Sequence, residues 1–403
     1  MAAYLQKKLF RPIIIADNIG YIHFPDKAGR SVSCDDLFIT TPLTLDEDEY
    51  HYDETNKVLC YQVGQNDTRA FVVAKNLPKD KISQTVSNIT EARLAIKNYF
   101  INADKIRTNS ENFERQFAEN LLINSNLNIG NLLEMSELDL DINQPYFVQL
   151  AYVGNAAQNF DLRLLRSYSL ELVRKKNVQI IPITWGDCLM AIIPAMYKQD
   201  TLEIDPEWPR LLDSVSWKKI VDEKFNIDVS AGLGQPYMLR DLHRSYNEAR
   251  IAMTLPRLMG QKGFIQRFTD LGVFSQIFTQ DIKFLKNYCL RTLGILIDSN
   301  HMAETELLPT LRILLDNCHN SKLTADSLFI HVNTIQYRIT KIEQLLNIDL
   351  SKMDCRVNLF TAIKVWDTLK ALGFWDCDDE TFPTLKPSMK KLQIQHYRAI
   401  SMI

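Results

Sequence analysis

The chain has 403 residues, more than one ordinary domain requires, which predicts two to four domains. Hydrophobic residues make up 46% of the chain and charged residues 24%, with a net charge of -3, which fits a soluble folded protein with sizeable cores. This balance argues against a chain that is basic throughout, although a small basic DNA-binding module would be diluted by acidic neighbours.

The cysteines argue against a disulfide framework and against common metal or redox motifs. They are seven in number and widely scattered, and no two of them form a C-x-x-C pair. Adjacent residues rarely ligate one metal, so Cys318-His319 is interpreted as a buried thiol beside a surface histidine. No signal-like segment and no run of eighteen apolar residues is present. We therefore expect a cytoplasmic protein with no metal, no cofactor and no membrane contact.

The first 80 residues show short strand-like runs. Strands are predicted at 12–17 and 21–24, and a hairpin at 58–63 and 70–74 around a polar turn. These runs predict a small sensor-like α+β module over residues 1–80. Within it, the acidic run 45–49 could bind a cation or a basic partner, but a solvated loop is favoured.

Residues 81–143 predict a helical connector. Apolar residues recur at helical spacing from Ile82 to Phe100 and again from Phe113 to Leu121. A break near Asn109-Ser110 would divide the segment into two helices. Such a connector suits either dimerisation and signalling or ordinary packing against a neighbouring domain.

The middle segment, 144–256, predicts strands at 146–152, 178–184, 188–194 and 227–232 and helices at 162–175 and 239–253. This order favours an antiparallel sheet with helices on one face. Gly186-Asp187 would form a type I′-like hairpin tip. Gly232-Leu233-Gly234 could cradle a phosphate, but a tight turn at a strand end is favoured because the third glycine is missing.

Residues 260–372 predict an all-α domain. One helix is expected at 284–298 and another at 305–316, with Pro309 near the first turn of the second. The remaining residues, 373–403, are interpreted as a partly disordered extension.

Within that domain, residues 323–346 could form one long helix or two helices separated near His331-Val332-Asn333. A helical projection from Ile335 places Ile339, Ile342 and Leu346 within about 40° of one line. The opposite face is polar and is made of Thr334, Tyr337, Thr340, Lys341 and Gln344, with Gln336 and Arg338 at its edges. Such side chains contact DNA bases and phosphates.

A break into two helices is favoured by the local sequence. Asn333 is a strong N-cap candidate, and Gln336 could close a capping box. A short helix over 324–328, a turn and a capped helix of four turns together predict a helix-turn-helix.

The same residues resemble a known family. Thr324-Ala325, Leu328, His331, Asn333-Thr334-Ile335 and Tyr337-Arg338-Ile339 are similar to the pattern A-x-x-L-x-x-H-x-N-T-[LIV]-x-Y-R-[LIV] of PucR/CdaR-type bacterial transcription regulators. Val332 and Gln336 stand where that family usually has arginine, which should weaken phosphate contacts.

The middle segment resembles a degenerate GGDEF-type domain, the fold of diguanylate cyclases. Its tip reads Trp185-Gly186-Asp187-Cys188, and its first strand ends in Ala151-Tyr152-Val153, so only one of the expected carboxylates is present. One carboxylate cannot hold two Mg²⁺ ions, and cyclase activity is therefore disfavoured. PucR/CdaR-type regulators commonly carry such a domain, and Ser245-Tyr246-Asn247-Glu248-Ala249-Arg250 resembles their S-Y-x-x-A-R.

The resemblance implies a multidomain α+β DNA-binding regulator that is not an enzyme. It would combine a sensor-like (PAS/GAF-like) module, a connector, a GGDEF-like domain and a helical domain with a helix-turn-helix at 322–347. Its expected partners are double-stranded DNA, a second copy of the chain (a homodimer or higher homo-oligomer) and a small-molecule effector. The expected DNA contacts are Lys322, Thr324, His331, Asn333, Thr334, Gln336, Tyr337, Arg338 and Lys341. The alternative is a regulator whose C-terminal helices bind a protein instead of DNA.

Overall fold

The computed structural model describes residues 2–25, 34–39, 45–123, 140–154, 160–174, 180–195, 217–297 and 303–375. The chain forms two compact units, one of Met1–Ala118 with Gln158–Thr184 and one of Glu119–Ala157 with Trp185–Ile403. The domain boundaries predicted along the sequence stay predictions. The expected disorder of the C-terminal extension falls almost entirely outside the described residues. In the described part of the chain, none of the helices is both long enough and apolar enough to cross a bilayer.

The described strands are, in chain order, β1 (Ile13–Asp17), β2 (Ile22–Phe24), β3 (Tyr50–Asp53), β4 (Val58–Val63), β5 (Ala70–Ala74), β6 (Tyr146–Gly154), β7 (Ile181–Trp185), β8 (Cys188–Pro194), β9 (Asp228–Leu233) and β10 (Ile265–Arg267). The described α-helices are α1 (Ala2–Leu9), α2 (Ile82–Ile123), α3 (Leu162–Arg174), α4 (Trp217–Phe225), α5 (Leu242–Leu258), α6 (Val273–Ile277), α7 (Ile282–Leu293), α8 (Ala303–Asp316), α9 (Ser321–Leu328), α10 (Val332–Leu346) and α11 (Met353–Ala371).

The first unit contains an antiparallel sheet in the order β2-β1-β5-β4-β3. Successive side chains along its strands point to opposite faces of the sheet, and both faces are apolar. One face, with Ile13, Ile15 and Val72, packs with Leu5 of α1 and with Ile89 and Ile96 of α2, and the other buries Ile14, Phe71 and Val73. The predicted strands are confirmed, but α1 and β3 were not predicted.

Helix α2 runs unbroken for 42 residues, so the predicted break at Asn109-Ser110 is wrong. In a helix interior, asparagine and serine each cost about 0.5 kcal/mol relative to better helix formers. A long helix tolerates this cost. The acidic run before β3 does not form the favoured solvated loop throughout. Glu47 bonds to Lys97 of α2 at 2.7 Å, and Asp48 pairs with Arg93 of the same helix.

In the second unit, β6 lies between β8 and β9 and is antiparallel to both, and β10 pairs parallel to β9. The predicted strands 146–152, 188–194 and 227–232 are confirmed. The strand β10 lies in a segment predicted to be helical, and its parallel pairing departs from the predicted antiparallel sheet. Helix α5 connects β9 to β10, which is the crossover that a parallel pair of strands needs.

The C-terminal helices of the second unit share one core, which includes Leu311, Ile335 and Ile363. The predicted helix 284–298 divides into α7 and a 3-10 turn, because Gly294 has a φ of 47°. Pro309 lies inside α8 and not in its first turn, which corrects the predicted helix start. Cys318 is exposed and His319 half-buried, the reverse of the prediction, and both adopt left-handed φ angles between α8 and α9.

Candidate nucleic-acid interface

Helices α9 and α10 are separate elements joined by a tight turn, so the continuous-helix interpretation of 323–346 is wrong. The side chain of Asn320 caps α9 by accepting hydrogen bonds from the backbone N–H groups of Lys322 and Leu323, both at 3.1 Å. Phe329 ends α9 with a left-handed φ of 54°. Helix α10 begins three residues later, which is the spacing of a helix-turn-helix.

The N-cap of α10 is His331, and the prediction of Asn333 as the cap is wrong. The ring Nδ1 of His331 accepts a hydrogen bond from the backbone N–H of Asn333 at 3.2 Å, which requires Nδ1 to be unprotonated. The predicted capping box is also absent, since Gln336 Nε2 donates to Ser321 Oγ at 3.0 Å. Asn333 therefore lies in the first turn of α10, where its exposed side chain is free of the capping role.

The predicted core face of α10 is confirmed. Ile335, Ile339 and Ile342 are buried, and so is the small Ala325 of α9. A small residue at this position lets two helices cross at short distance. Val332, one of the two positions where the family usually has arginine, is half-buried and packs against the same core.

The opposite face of α10 is exposed and carries most of the predicted DNA-contacting residues. The exposed ones are Asn333, Thr334, Gln336, Tyr337 and Lys341, and the N-cap His331 and Lys322 of α9 are exposed as well. Thr340 and Gln344 continue the same face. The nearest carboxylate of the helix, Glu343, accepts a hydrogen bond from the Leu350 N–H at 2.9 Å and is half-buried. The face of this helix therefore offers hydrogen-bond donors and one exposed cation, Lys341, without an exposed carboxylate that would repel phosphate.

Two predicted contact residues have their side chains largely buried inside the domain. Thr324 is buried, and its hydroxyl donates to the carbonyl oxygen of Asn320 at 2.7 Å. Arg338 is only 17% exposed, because its guanidinium reaches Thr310 Oγ1 at 3.1 Å and Glu306 Oε2 at 3.2 Å on α8. Both side chains position α9 and α10 in this structure and do not lie on the polar face.

Phe329 and Ser321 were not among the predicted functional residues. Phe329 is 73% exposed at the turn between the two helices, although its side chain is large and apolar. Ser321 holds Gln336 and so links the start of α9 to α10. The available signal was the position of Phe329 at the predicted break between the two helices, outside the helical spacing that marks core residues.

Helices α8 and α11 form the framework behind α10. Arg312 of α8 makes a bidentate pair with Asp367 of α11, Nε to Oδ2 at 3.0 Å and Nη2 to Oδ1 at 2.6 Å. Lys364 of α11 bonds to Asp316 Oδ1 at 2.9 Å. Burial raises the pKa of the Asp367 carboxyl above its ordinary value, while Arg312 acts in the opposite direction. These pairs fix α8, and α8 holds Arg338.

The middle domain does not assemble the metal site of a cyclase. Asp187 is exposed at the tip, and Cys188 is buried, which raises the pKa of its thiol to about 12. The guanidinium of Arg257 lies over the ring of Tyr152 at 3.8 Å, where a cation disfavours a second cation. Across the described residues, no cluster of three His, Cys, Asp or Glu side chains could hold a metal. The donors present there therefore do not fit two Mg²⁺ ions.

The hairpin tip also differs from the prediction. Gly186 has a positive φ of 60°, whereas Asp187 does not, so the predicted type I′ turn is wrong. A type I′ turn requires positive φ at both central residues.

The S-Y-x-x-A-R segment on α5 makes contacts inside the second unit. Ser245 Oγ accepts a hydrogen bond from the Val148 N–H of β6 at 2.8 Å, and Tyr246 Oη accepts one from Trp185 Nε1 at 2.9 Å. Arg250 donates to the carbonyl oxygen of Leu372, just after α11, at 2.8 Å and lies 5.0 Å from the centroid of the Phe374 ring. The segment thus joins the middle sheet to the end of the helical domain.

Two family models match the chain. The PucR C-terminal helix-turn-helix domain matches residues 307–365, and the GGDEF-like domain matches residues 133–255. Both matches agree with the resemblances noted from the residues, and the first contains the whole polar face of α10.

Three characterised proteins are similar to parts of the chain. The proline-responsive transcriptional activator PutR of Bacillus subtilis is 34% identical over 143 residues, 34% of each chain. The DNA-binding transcriptional activator AdeR of the same organism is 28% identical over 159 residues, 38% of this chain and 37% of the relative. The carbohydrate diacid regulator of Escherichia coli is 22% identical over 252 residues, 60% and 63%. The chain thus spans about a third of the length of the first two and under two thirds of the third.

Among the solved structures that are similar to the chain is one with a low TM-score. A regulator of polyketide synthase expression from Bifidobacterium adolescentis has a TM-score of 0.30 and 16% identity, and covers 63% of this chain and 91% of its own.

Proposed function

We propose that this chain, which carries the GGDEF-like domain and the C-terminal helix-turn-helix domain of PucR/CdaR-type regulators, is a sequence-specific DNA-binding transcription regulator. The observation that carries the proposal is the exposed polar face of α10, which begins at a capped N-terminus and lacks an exposed carboxylate. Recognition helices contact base edges with their N-terminal residues, and Asn333, Thr334 and Gln336 occupy that part of α10.

The proposal includes a small-molecule signal received by the first unit and a dimer on DNA. The first unit presents a five-stranded sheet packed on a long helix, which suits a sensor that transmits to a following domain. One recognition helix covers few base pairs, so two copies on two half-sites are expected. A cytoplasmic location is part of the same proposal.

The deciding experiment is selection of bound sites from random double-stranded DNA by the full-length protein at low salt. We expect enrichment of a pseudo-palindrome whose half-sites lie about 10 base pairs apart or a multiple of that. Absence of any enriched sequence would contradict DNA readout and favour a regulator whose C-terminal helices bind a protein.

Replacing Lys341 by alanine should weaken binding to all sequences by a similar factor. Lys341 is an exposed cation on the polar face, and removing one lysine–phosphate interaction makes the slope of log K against log salt less negative by about 1. Affinity measured between low and physiological salt checks this. The matched control is Lys283→Ala on α7, an exposed lysine away from that face. An unchanged slope in Lys341→Ala would exclude an interaction with phosphate.

Replacing Thr334 or Gln336 by alanine should change which sequence is selected. Both side chains are exposed near the start of α10, and removing a hydrogen bond to a base reduces discrimination at one position by about 1–3 kcal/mol. Repeating the selection with each variant gives the measurement, with Gln276→Ala, an exposed glutamine on α6, as control. Identical enriched sites from wild type and both variants would place base readout elsewhere.

A further inference from the structure

An exposed stripe runs along α2 with the spacing of a coiled coil. Its members, which alternate in steps of four and three residues, are Ala95, Tyr99, Asn102, Ile106, Asn109 and Phe113. All six are exposed, and the large apolar ones are 49% (Tyr99), 72% (Ile106) and 38% (Phe113) accessible. At 100° per residue, each seven-residue step moves only about 20° around the helix, so the three large side chains form one line.

Most of the stripe projects away from the side of α2 that packs on the sheet of the first unit, although Tyr99 Oη also lies 3.3 Å from His23 Nδ1 of β2. That side is formed by Ile89, Ile96 and Phe100, which are buried. Ile106 projects about 100° away from Ile89 around the helix axis. The stripe therefore adds little to the core of its own unit, and a row of exposed apolar side chains marks an interaction surface.

The composition of the stripe fits a second copy of α2 in parallel and in register. In that arrangement each stripe residue meets its own counterpart. The side-chain amides of Asn102 and Asn109 each hold a donor and an acceptor, so each amide can bond to its own counterpart. Tyr99, Ile106 and Phe113 alternate along the stripe with Ala95, Asn102 and Asn109. Buried asparagine in a coiled coil fixes the register at some cost in stability.

The charges beside the stripe also permit self-association. The stripe is flanked on its two sides by the e and g positions of the heptad. From residue 98 onward these positions are Asn98, Ala103, Lys105, Ser110 and Asn112, of which only Lys105 is charged. In a parallel pair Lys105 lies opposite Ser110 of the second copy, and no like charges oppose each other at these positions. A strongly acidic or basic partner would find no complementary row of charges here.

We propose that this stripe is the interface at which two copies of the chain form a parallel dimer through α2. This interface rests on the proposed function in one respect, since binding to two half-sites requires a dimer and the stripe is the surface through which that dimer forms. Two to three heptads of contact between the first units would then hold two helix-turn-helix domains for one operator.

The test compares Ile106→Glu with Leu94→Glu in the full-length chain. Leu94 lies on the same helix, is 67% exposed and projects about 120° from Ile106, so it is a matched apolar surface position. By sedimentation equilibrium we expect wild type and Leu94→Glu to be dimers at about 10 µM and Ile106→Glu to weaken dimerisation at least about tenfold. Circular dichroism should report equal helix content in all three.

A second variant tests the parallel register and does not touch an apolar residue. Asn109→Asp places two carboxylates opposite each other only if the copies are parallel and in register, so its dimer should weaken at neutral pH and recover at high salt. Thr108→Asp adds the same charge on the opposite side of the helix and should leave the dimer unchanged. A monomeric wild type, or an Ile106→Glu dimer of unchanged affinity, would overturn the proposal, and equal weakening by Thr108→Asp would overturn the register.

DNA binding separates this proposal from the proposed function. A monomeric Ile106→Glu variant should still bind a single half-site at low salt, but its affinity for the two-site operator should fall at least about tenfold. If wild type dimerises through the stripe and selects no DNA sequence, the DNA-binding function fails and the interface stands. If wild type selects DNA and Ile106→Glu remains a dimer, the interface fails alone.

Discussion

Replacing Arg312 by methionine is expected to lower the free energy of unfolding of the helical domain by about 3–5 kcal/mol at neutral pH. The pair with Asp367 is bidentate, and its two side chains are only 16% and 10% exposed. Methionine keeps much of the apolar stem of arginine but leaves the buried carboxylate without its nearest cation. Urea unfolding followed by tryptophan fluorescence, to which the buried Trp366 next to Asp367 contributes, measures the decrease.

The decrease in stability should depend on pH in a defined direction. Burial already raises the pKa of Asp367, and removing Arg312 removes the main opposing effect. A carboxyl whose pKa is higher in the folded protein than in the unfolded chain binds a proton on folding, so stability falls as pH rises through this window. Arg312→Met should therefore be least stable near pH 7 and regain stability as pH falls toward the ordinary carboxyl pKa of about 4.

Two comparisons make the result specific. The double variant Arg312→Met/Asp367→Leu should recover most of the stability, because the buried Asp367 carboxylate is removed together with its partner. Lys219→Met removes one partner of the exposed Lys219–Glu223 pair on α4 and should change stability by less than about 0.5 kcal/mol. A decrease below about 1 kcal/mol in Arg312→Met, or one that does not vary with pH, would contradict this account of the pair.

Loss of Arg312 should also affect the candidate interface, because side-chain contacts link α11 to α8 and α8 to α10. Arg312 fixes α8 against α11, and Arg338 of α10 is held by Glu306 and Thr310 of α8. A loosened α8 would leave the helix that carries the polar face without one of its supports. We expect Arg312→Met to bind DNA more weakly at neutral pH even though Arg312 is remote from that face.

Sequence periodicity predicted the elements whose buried face is marked by a regular spacing of apolar residues. The three buried isoleucines of α10 repeat at helical spacing, and the strands β6, β8 and β9 are made mostly of apolar residues. Elements that depend on a distant partner were missed. The strand β10 has only three half-buried residues and is defined by its pairing with β9, which local sequence does not reveal.

The roles of individual polar side chains were harder to predict than the helices that carry them. Arg338 was expected to face DNA because a helical projection placed it at the edge of the polar face. Its long side chain instead reaches α8, which no projection of one helix contains. His331 replaced Asn333 as the cap for a local reason, since a ring nitrogen two residues before the N–H can accept its hydrogen bond.

Substitution of Gly232 or Gly234 is the second change for which we expect a large loss of stability. Neither glycine is needed for a turn or a phosphate, and both are needed for close packing on α5. An ideal Cβ on Gly232 would lie 2.2 Å from the Ala249 carbonyl oxygen, and one on Gly234 would lie 2.0 Å from the Ser245 carbonyl oxygen. Two residues along a strand span about the same distance as four residues along a helix. The G-x-G at the end of β9 and the small residues Ser245 and Ala249 of α5 are therefore the two sides of one close approach between backbones.

Replacing Gly234 by alanine is accordingly expected to destabilise the second unit by about 3 kcal/mol or more, because the added methyl group meets backbone that cannot move alone. The same shift would disturb β6, where Gly234 N–H donates to Val148 O at 3.0 Å and Ser245 Oγ accepts from Val148 N–H at 2.8 Å. Urea unfolding of the full-length chain measures the change. Gly154→Ala is the control, since its Cβ would lie 3.3 Å from the nearest atom, Asp228 O, and should cost under about 1 kcal/mol.

The outcome also separates packing from ligand binding at this segment. If the two glycines cradled a phosphate, Gly234→Ala would leave the unfolding free energy near that of wild type and alter only the response to added nucleotide. If they allow close packing, the variant is less stable whether or not nucleotide is present. Because Arg250 on the same helix bonds to Leu372 beyond α11, a displaced α5 should also disturb the helical domain. We therefore expect Gly234→Ala to weaken DNA binding together with stability, which a phosphate site would not predict.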